Sequence, residues 1–224
     1  MTADRFVLAG AIALGLLFWS FAFWHTESSW TRLVVKTGST LLLAVFAWMV
    51  GGPKLLVAAL ALSAAGDAFL ELDGANWLKP GMAAFFLGHV AYVVLFWGLP
   101  HSARGWLVPV LQVALVVGGF LYVRWLAPSL GDMRIPVFAY SAIILLMGAM
   151  ALRLDTAYLL VTVGALMFVA SDMILATQLF GRPAGSPPNL AASLAVWGLY
   201  FFGQALIAWG GVRPLAAAGR ALAP

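Results

Sequence analysis

Cysteine is absent from the 224 residues. Disulfides, thiolate metal sites and a cysteine nucleophile are therefore excluded, while the redox compartment stays open. Charge is also scarce: Asp, Glu, Lys and Arg make up 9% of the chain, against about 25% in an ordinary soluble domain. The histidines are His25, His89 and His101, with no H-x-x-x-H pair. A catalytic zinc needs about three protein ligands, so no metal is expected. No Gly-x-Ser-x-Gly elbow announces a serine triad either. The net charge of +4 is scattered over loops. It suits anionic lipid headgroups and forms no basic stripe, which argues against nucleic acid as a partner.

What the chain does have is apolar surface. Hydrophobic residues are 64% of the total and the mean hydropathy is +1.01, as in an integral membrane protein. A bilayer core takes roughly 20 mostly apolar residues per helix. Cutting at charges, prolines and turn residues predicts a single all-α transmembrane domain over 1–224. Its spans are expected at 6–23, 33–50, 54–72, 78–99, 106–126, 135–152, 157–179 and 190–211. The first, "FVLAGAIALGLLFWSFAF", is longer than a signal-peptide core and lacks a small-residue cleavage site, so it reads as an uncleaved span. Lys and Arg divide evenly between the loops of the two sides, leaving orientation and oligomeric state undetermined. Trp24, Trp30, Trp77, Trp97 and Trp106 fall near span ends and read as an interfacial belt.

Two acids interrupt this apolar text. Asp67 lies in "LALSAAGDAFLEL" and Asp172 in "ALMFVASDMILAT". Each sits one turn past the middle of its span, roughly 6 Å toward the side where both spans end. Lys36 and Tyr140 fall in the same half, with His89 and Gln204 close by. An ionised carboxylate in the hydrocarbon costs at least a few kcal/mol, so such groups are paired, protonated or functional. The bland readings are a hydrogen bond from Ser63 to Asp67, packing of Asp172 on Ser171, and Lys36 reaching the interface. Glu71, Asp73, Lys79 and Asp132 read as solvated loop charges. "AAGDAFL" echoes "VASDMIL", and "FFLGH" echoes "YFFGQ". The echo pairs the third and fourth spans with the seventh and eighth, a possible 4+4 repeat with its site between the halves.

Taken in order, "VKTGSTLLL", "AAGDAFL", "FFLGHVAY", "ASDMIL" and "YFFGQALI" resemble the YhhN family, the lysoplasmalogenase-type integral membrane proteins, across nearly the whole chain. The resemblance implies Asp67 and Asp172 as catalytic residues. It carries over Lys36, His89, Tyr92, Ser171, Tyr200 and Gln204 as substrate-binding residues, and Tyr140 joins them from its depth. Thr37 stands where family members often have Pro, and Gln204 where some have His. The implied activity is hydrolysis of the vinyl ether of a lysoplasmalogen to a fatty aldehyde and a glycerophospho-alcohol. The implied location is a lipid bilayer, a bacterial inner (plasma) membrane.

That chemistry starts with protonation of carbon, which needs an acid still holding its proton near neutral pH. Low-dielectric surroundings favour the neutral carboxyl. A second, ionised carboxylate would steady the oxocarbenium ion and direct water, as in glycoside hydrolysis. No cofactor is expected for this chemistry. Asp67 is taken as the acid and Asp172 as its partner, with the reverse assignment open. Lys36, Arg32 and Arg134 are candidates for holding phosphate. Two other readings of paired membrane acids are an intramembrane aspartyl protease and a proton-coupled transporter. Ala64-Ala65-Gly66 ahead of Asp67 departs from the Gly-x-Gly-Asp of such proteases.

Overall fold

The computed structural model describes residues 2–20, 29–72, 75–102, 105–183, 186 and 189–221. Within them eight long helices form one bundle: α1 (Ala3–Ser20), α2 (Trp30–Met49), α3 (Lys54–Glu71), α4 (Leu78–Gly98), α5 (Leu107–Leu126), α6 (Arg134–Ala151), α7 (Leu159–Phe180) and α8 (Leu190–Ala221). Even the shortest has 18 residues, about 27 Å at 1.5 Å per residue, close to the thickness of a hydrocarbon core. Seven are apolar enough to cross a membrane on composition alone. The exception is α3, which carries Lys54, Asp67 and Glu71. It tolerates them because it runs inside the bundle, packed on α2 and α4, with its buried face running from Leu56 to Glu71. The all-α bundle read from the sequence is thus the architecture found. The end of the expected first span, Trp24 and His25 lie outside the described residues.

Local chemistry sets the connections. Ser29 opens α2 by accepting the Arg32 N–H through its side chain at 3.2 Å, satisfying a backbone donor that the helix leaves free. Between α2 and α3, Gly51 adopts φ +72°, a left-handed conformation that favours glycine. Pro53 follows as the N-cap of α3. On the same side of the bundle, the Asp155 N–H donates to Pro100 O and the Ser102 N–H to Arg153 O, at 2.9 and 3.1 Å. These bonds tie the α4–α5 and α6–α7 turns together. Trp30, Trp97 and Trp106 are largely exposed, while Trp77 stacks on Phe69 with ring centroids 5.7 Å apart.

The helix pairings follow the four-helix repeat. α1 packs on α2 as α5 packs on α6, α2 on α3 as α6 on α7, and α3 on α4 as α7 on α8. Across the halves, α8 meets α2 and α4 meets α6. Small residues bring the paired helices close. A Cβ on Gly88 of α4 would lie 3.2 Å from Ala59 O of α3, and one on Gly203 of α8 would lie 2.8 Å from Gly164 O of α7. Between the halves lies an aromatic core. There Tyr200 meets Phe85 edge-on at 5.8 Å and Phe168 at 5.0 Å.

Candidate active site

Asp67 and Asp172 line one cavity of about 590 Å³, within the range of pockets that enclose small ligands. Asp67 is buried. Its Oδ2 accepts the Thr40 hydroxyl of α2 at 2.8 Å and the Tyr200 hydroxyl of α8 at 2.6 Å. Its other oxygen takes no hydrogen bond among the described residues. Ser63 does not reach it: the Ser63 hydroxyl donates to Ala59 O at 2.9 Å, within its own helix.

Asp172 is held by the equivalent helices of the other half. Its Oδ2 accepts the Tyr140 hydroxyl of α6 at 2.5 Å and lies 3.8 Å from His89 Nε2 of α4. Tyr140 has a single proton, spent on Asp172, so at its 3.1 Å contact with His89 Nε2 it must accept. Nε2 then carries a hydrogen, and a relay runs from His89 through Tyr140 to Asp172. His89 Nδ1 is buried without a partner among the described residues. Ser171 does not pack on Asp172 through its hydroxyl, which donates to Val196 O of α8 at 2.8 Å.

Each carboxylate is therefore clasped by the second helix of its own half and the fourth helix of the other half. The two settings still differ, since the Asp172 side chain keeps 15% of its exposure while Asp67 is 2% exposed. Asp67 has two hydroxyl donors on one oxygen, whereas Asp172 has one donor and a histidine behind it. Similar stretches of sequence have thus placed the two acids in unlike surroundings.

At the end of α3 the reading of Glu71 as a solvated loop charge is corrected. Glu71 is buried. It accepts a hydrogen bond from Arg32 Nε at 2.5 Å, and its Oε2 lies 3.2 Å from Lys36 Nζ. The Phe18 ring lies under both cations, at 5.5 and 5.9 Å. All four residues line the cavity. The signal was present in the sequence, because Glu71 follows Asp67 by one helical turn and shares its face. Lys79 and Asp132 are exposed, and Asp73 lies outside the described residues.

Tyr140, Ser171 and Tyr200 join Lys36 on the cavity wall. His89 stands behind it, and Tyr92 and Gln204 are set away from it. Their partners are each other, with the Tyr92 hydroxyl of α4 donating to Gln204 Oε1 of α8 at 2.5 Å. Arg134 lies over the Phe138 ring at 5.6 Å, off the cavity. One wall residue that the sequence did not mark is Tyr122 of α5, whose hydroxyl donates to Met173 O at 2.7 Å. No group of His, Asp and Glu among the described residues is arranged to hold a metal ion.

Fold and site together define a class, a polytopic helical membrane protein with two carboxylates on one interior cavity. The model of the YhhN family matches residues 31–211, and the chain belongs to that family. It is similar to human lysoplasmalogenase TMEM86B, with 35% identity over 201 residues, 86% of this chain and 81% of that protein. It is also similar to the pig lysoplasmalogenase TMEM86B, 34% identical over 81% of this chain and 75% of that protein. A lysoplasmalogenase of Mycobacterium bovis is 31% identical over 66% of this chain and 61% of that protein. No solved structure matches the chain.

Proposed function

We propose that the chain is a lysoplasmalogenase, hydrolysing the vinyl ether of a lysoplasmalogen in a bacterial inner (plasma) membrane, with Asp67 as acid and Asp172 as its ionised partner. The names of the relatives support the activity. The observation that carries the residue assignment is the placement of both carboxylates on one cavity, in unlike hydrogen-bonding environments. Thr40 and Tyr200 occupy Oδ2 of Asp67, which leaves Oδ1 to carry the proton of the neutral acid. From there it passes to the vinyl carbon remote from the ether oxygen. The other vinyl carbon becomes an oxocarbenium ion, steadied by the negative charge of Asp172.

Water then adds to that carbon and gives its proton to Asp172. When the hemiacetal collapses, Asp172 hands this proton to the departing glycerol oxygen and the hemiacetal hydroxyl returns its own proton to Asp67. The products are a fatty aldehyde and a glycerophospho-alcohol, and both acids regain their starting states. Tyr140 and His89 orient Asp172, Tyr200 orients Asp67, and Lys36 and Ser171 border the bound lipid. Tyr92 and Gln204 act from behind the wall, linking α4 to α8 through their hydrogen bond. Purified protein given a lysoplasmalogen is expected to release aldehyde and to leave the ester of an acyl lysophospholipid intact. Peptide cleavage without aldehyde release would replace this reading with a protease. Proton-driven uptake into liposomes without aldehyde release would replace it with a transporter.

A further inference from the structure

The two halves differ where the repeat leads one to expect likeness. One turn beyond Asp67, Glu71 stands between Arg32 and Lys36. One turn beyond Asp172 the corresponding residue is Ala176. Tyr140 clasps Asp172 as Thr40 clasps Asp67, so Pro136 takes the place of Lys36, and Asp132, exposed and off the cavity, the place of Arg32. At that depth, then, the first half sets three charged side chains on the cavity wall, beside Leu70 and Leu72, and the second half sets none. Gly119, Val123, Val137, Ile144, Ala176 and Phe180 make a mostly apolar wall across α5, α6 and α7, interrupted by Tyr122 and Gln178.

We propose that the halves divide the lipid between them. The α1–α4 half takes the phosphodiester on Lys36 and Arg32, with Glu71 positioning both cations. The α5–α8 half takes the hydrocarbon chain. This division rests on the lysoplasmalogenase reading and adds to it the direction in which the substrate lies. The spacing supports it. Asp67 and Glu71 are one turn apart, roughly 6 Å along the helix, a span that the three-carbon glycerol bridges between phosphate and vinyl ether. The other cation on the wall is Arg182, which donates to Gln178 at 2.9 Å. It stands ten residues beyond Asp172, roughly 15 Å along a helix, too far for a phosphate whose vinyl ether lies at the acids. A hydrocarbon chain laid against Arg32, Glu71 and Lys36 would strip these charges of polar contact and return nothing, whereas the apolar wall accepts it without penalty.

The test compares a lysoplasmalogen with its headgroup-free counterpart, a 1-O-alkenylglycerol, on the full-length protein. In Lys36→Gln the ratio of kcat/KM between phosphorylated and headgroup-free substrate should fall about tenfold, the loss of one charge-assisted contact, chiefly through KM. Lys36→Arg should restore most of it. Ala176→Phe should leave that ratio unmoved and shift the preferred chain toward shorter lengths on both substrates. Equal losses on both substrates in Lys36→Gln, or a changed ratio in Ala176→Phe, would overturn the division. Binding of a saturated alkyl-ether lysophospholipid to the same variants separates this idea from the activity it rests on. Headgroup-dependent binding that weakens in Lys36→Gln supports the division even if no aldehyde is ever released. Binding indifferent to Lys36 overturns it.

Discussion

At the scale of the residue, the site turns on single protons. Asp67→Asn keeps shape and most hydrogen bonding but removes the transferable proton. Aldehyde release should fall by about 10²-fold or more, the usual worth of a general acid. The loss should lie in kcat, with lipid binding retained, and turnover of wild-type protein should slow in deuterated solvent. Tyr200→Phe takes away one of the two donors on Oδ2 of Asp67 and should lower kcat by a smaller factor, with Thr40 still in place. Full activity in Asp67→Asn would remove Asp67 from the chemistry. Glu71→Ala belongs to stability: it removes the buried carboxylate that Arg32 and Lys36, both half-buried, contact, and losing a charge-assisted hydrogen bond of this kind costs about 1.5–3 kcal/mol. Thermal unfolding in detergent should register it as a large drop in midpoint, reduced in Glu71→Gln, which still accepts a hydrogen bond.

At the scale of the element, close helix approach closes each of the two acid-bearing hairpins, α3–α4 and α7–α8. A Cβ on Gly203 would meet the carbonyl oxygen of Gly164 at 2.8 Å, and backbone cannot swing aside as a side chain can. Gly203→Val should push α8 from α7 and destabilise the protein by about 1–3 kcal/mol, as overpacking does. It should also slow turnover, because Tyr200 on α8 would move away from Asp67. Gly118 on α5 has nothing within 4 Å of its Cβ position, and Gly118→Ala should be neutral or slightly stabilising in the same thermal assay.

At the scale of the whole molecule, α3 must cross the bilayer although its three charges bar it from recognition by hydropathy. The chain has no cysteine, so single cysteines report topology directly. Val50→Cys and Ser102→Cys should react with an impermeant thiol reagent from one side of the membrane, and Trp77→Cys and Ser129→Cys from the other. Labelling of Val50→Cys and Trp77→Cys from the same side would show that α3 does not cross. It would also undo the repeat, which needs four crossings per half.

The sequence by itself determined the class, the helix count and the two acids. Long apolar runs in a bilayer must close their backbone hydrogen bonds internally, and a carboxylate in such a run is conspicuous. The depth of Asp67 and Asp172, and the echo around them, follow from rise per residue and need no tertiary information. Which side chains meet them was decided only by packing. α4 and α7 carry apolar residues all the way round with the polar ones scattered among them, so periodicity cannot say which face turns inward. That rotation put His89 behind Asp172 and sent Tyr92 and Gln204 to each other. Nothing in the sequence marked Thr40, which reaches Asp67 only because α2, α3 and α8 converge there. Glu71 looked like the start of a loop because it ends its helix and precedes "LDG". Only the docking of α2 against α3 brings Arg32 and Lys36 to it, since charges distant in sequence become partners when helix crossing sets their separation.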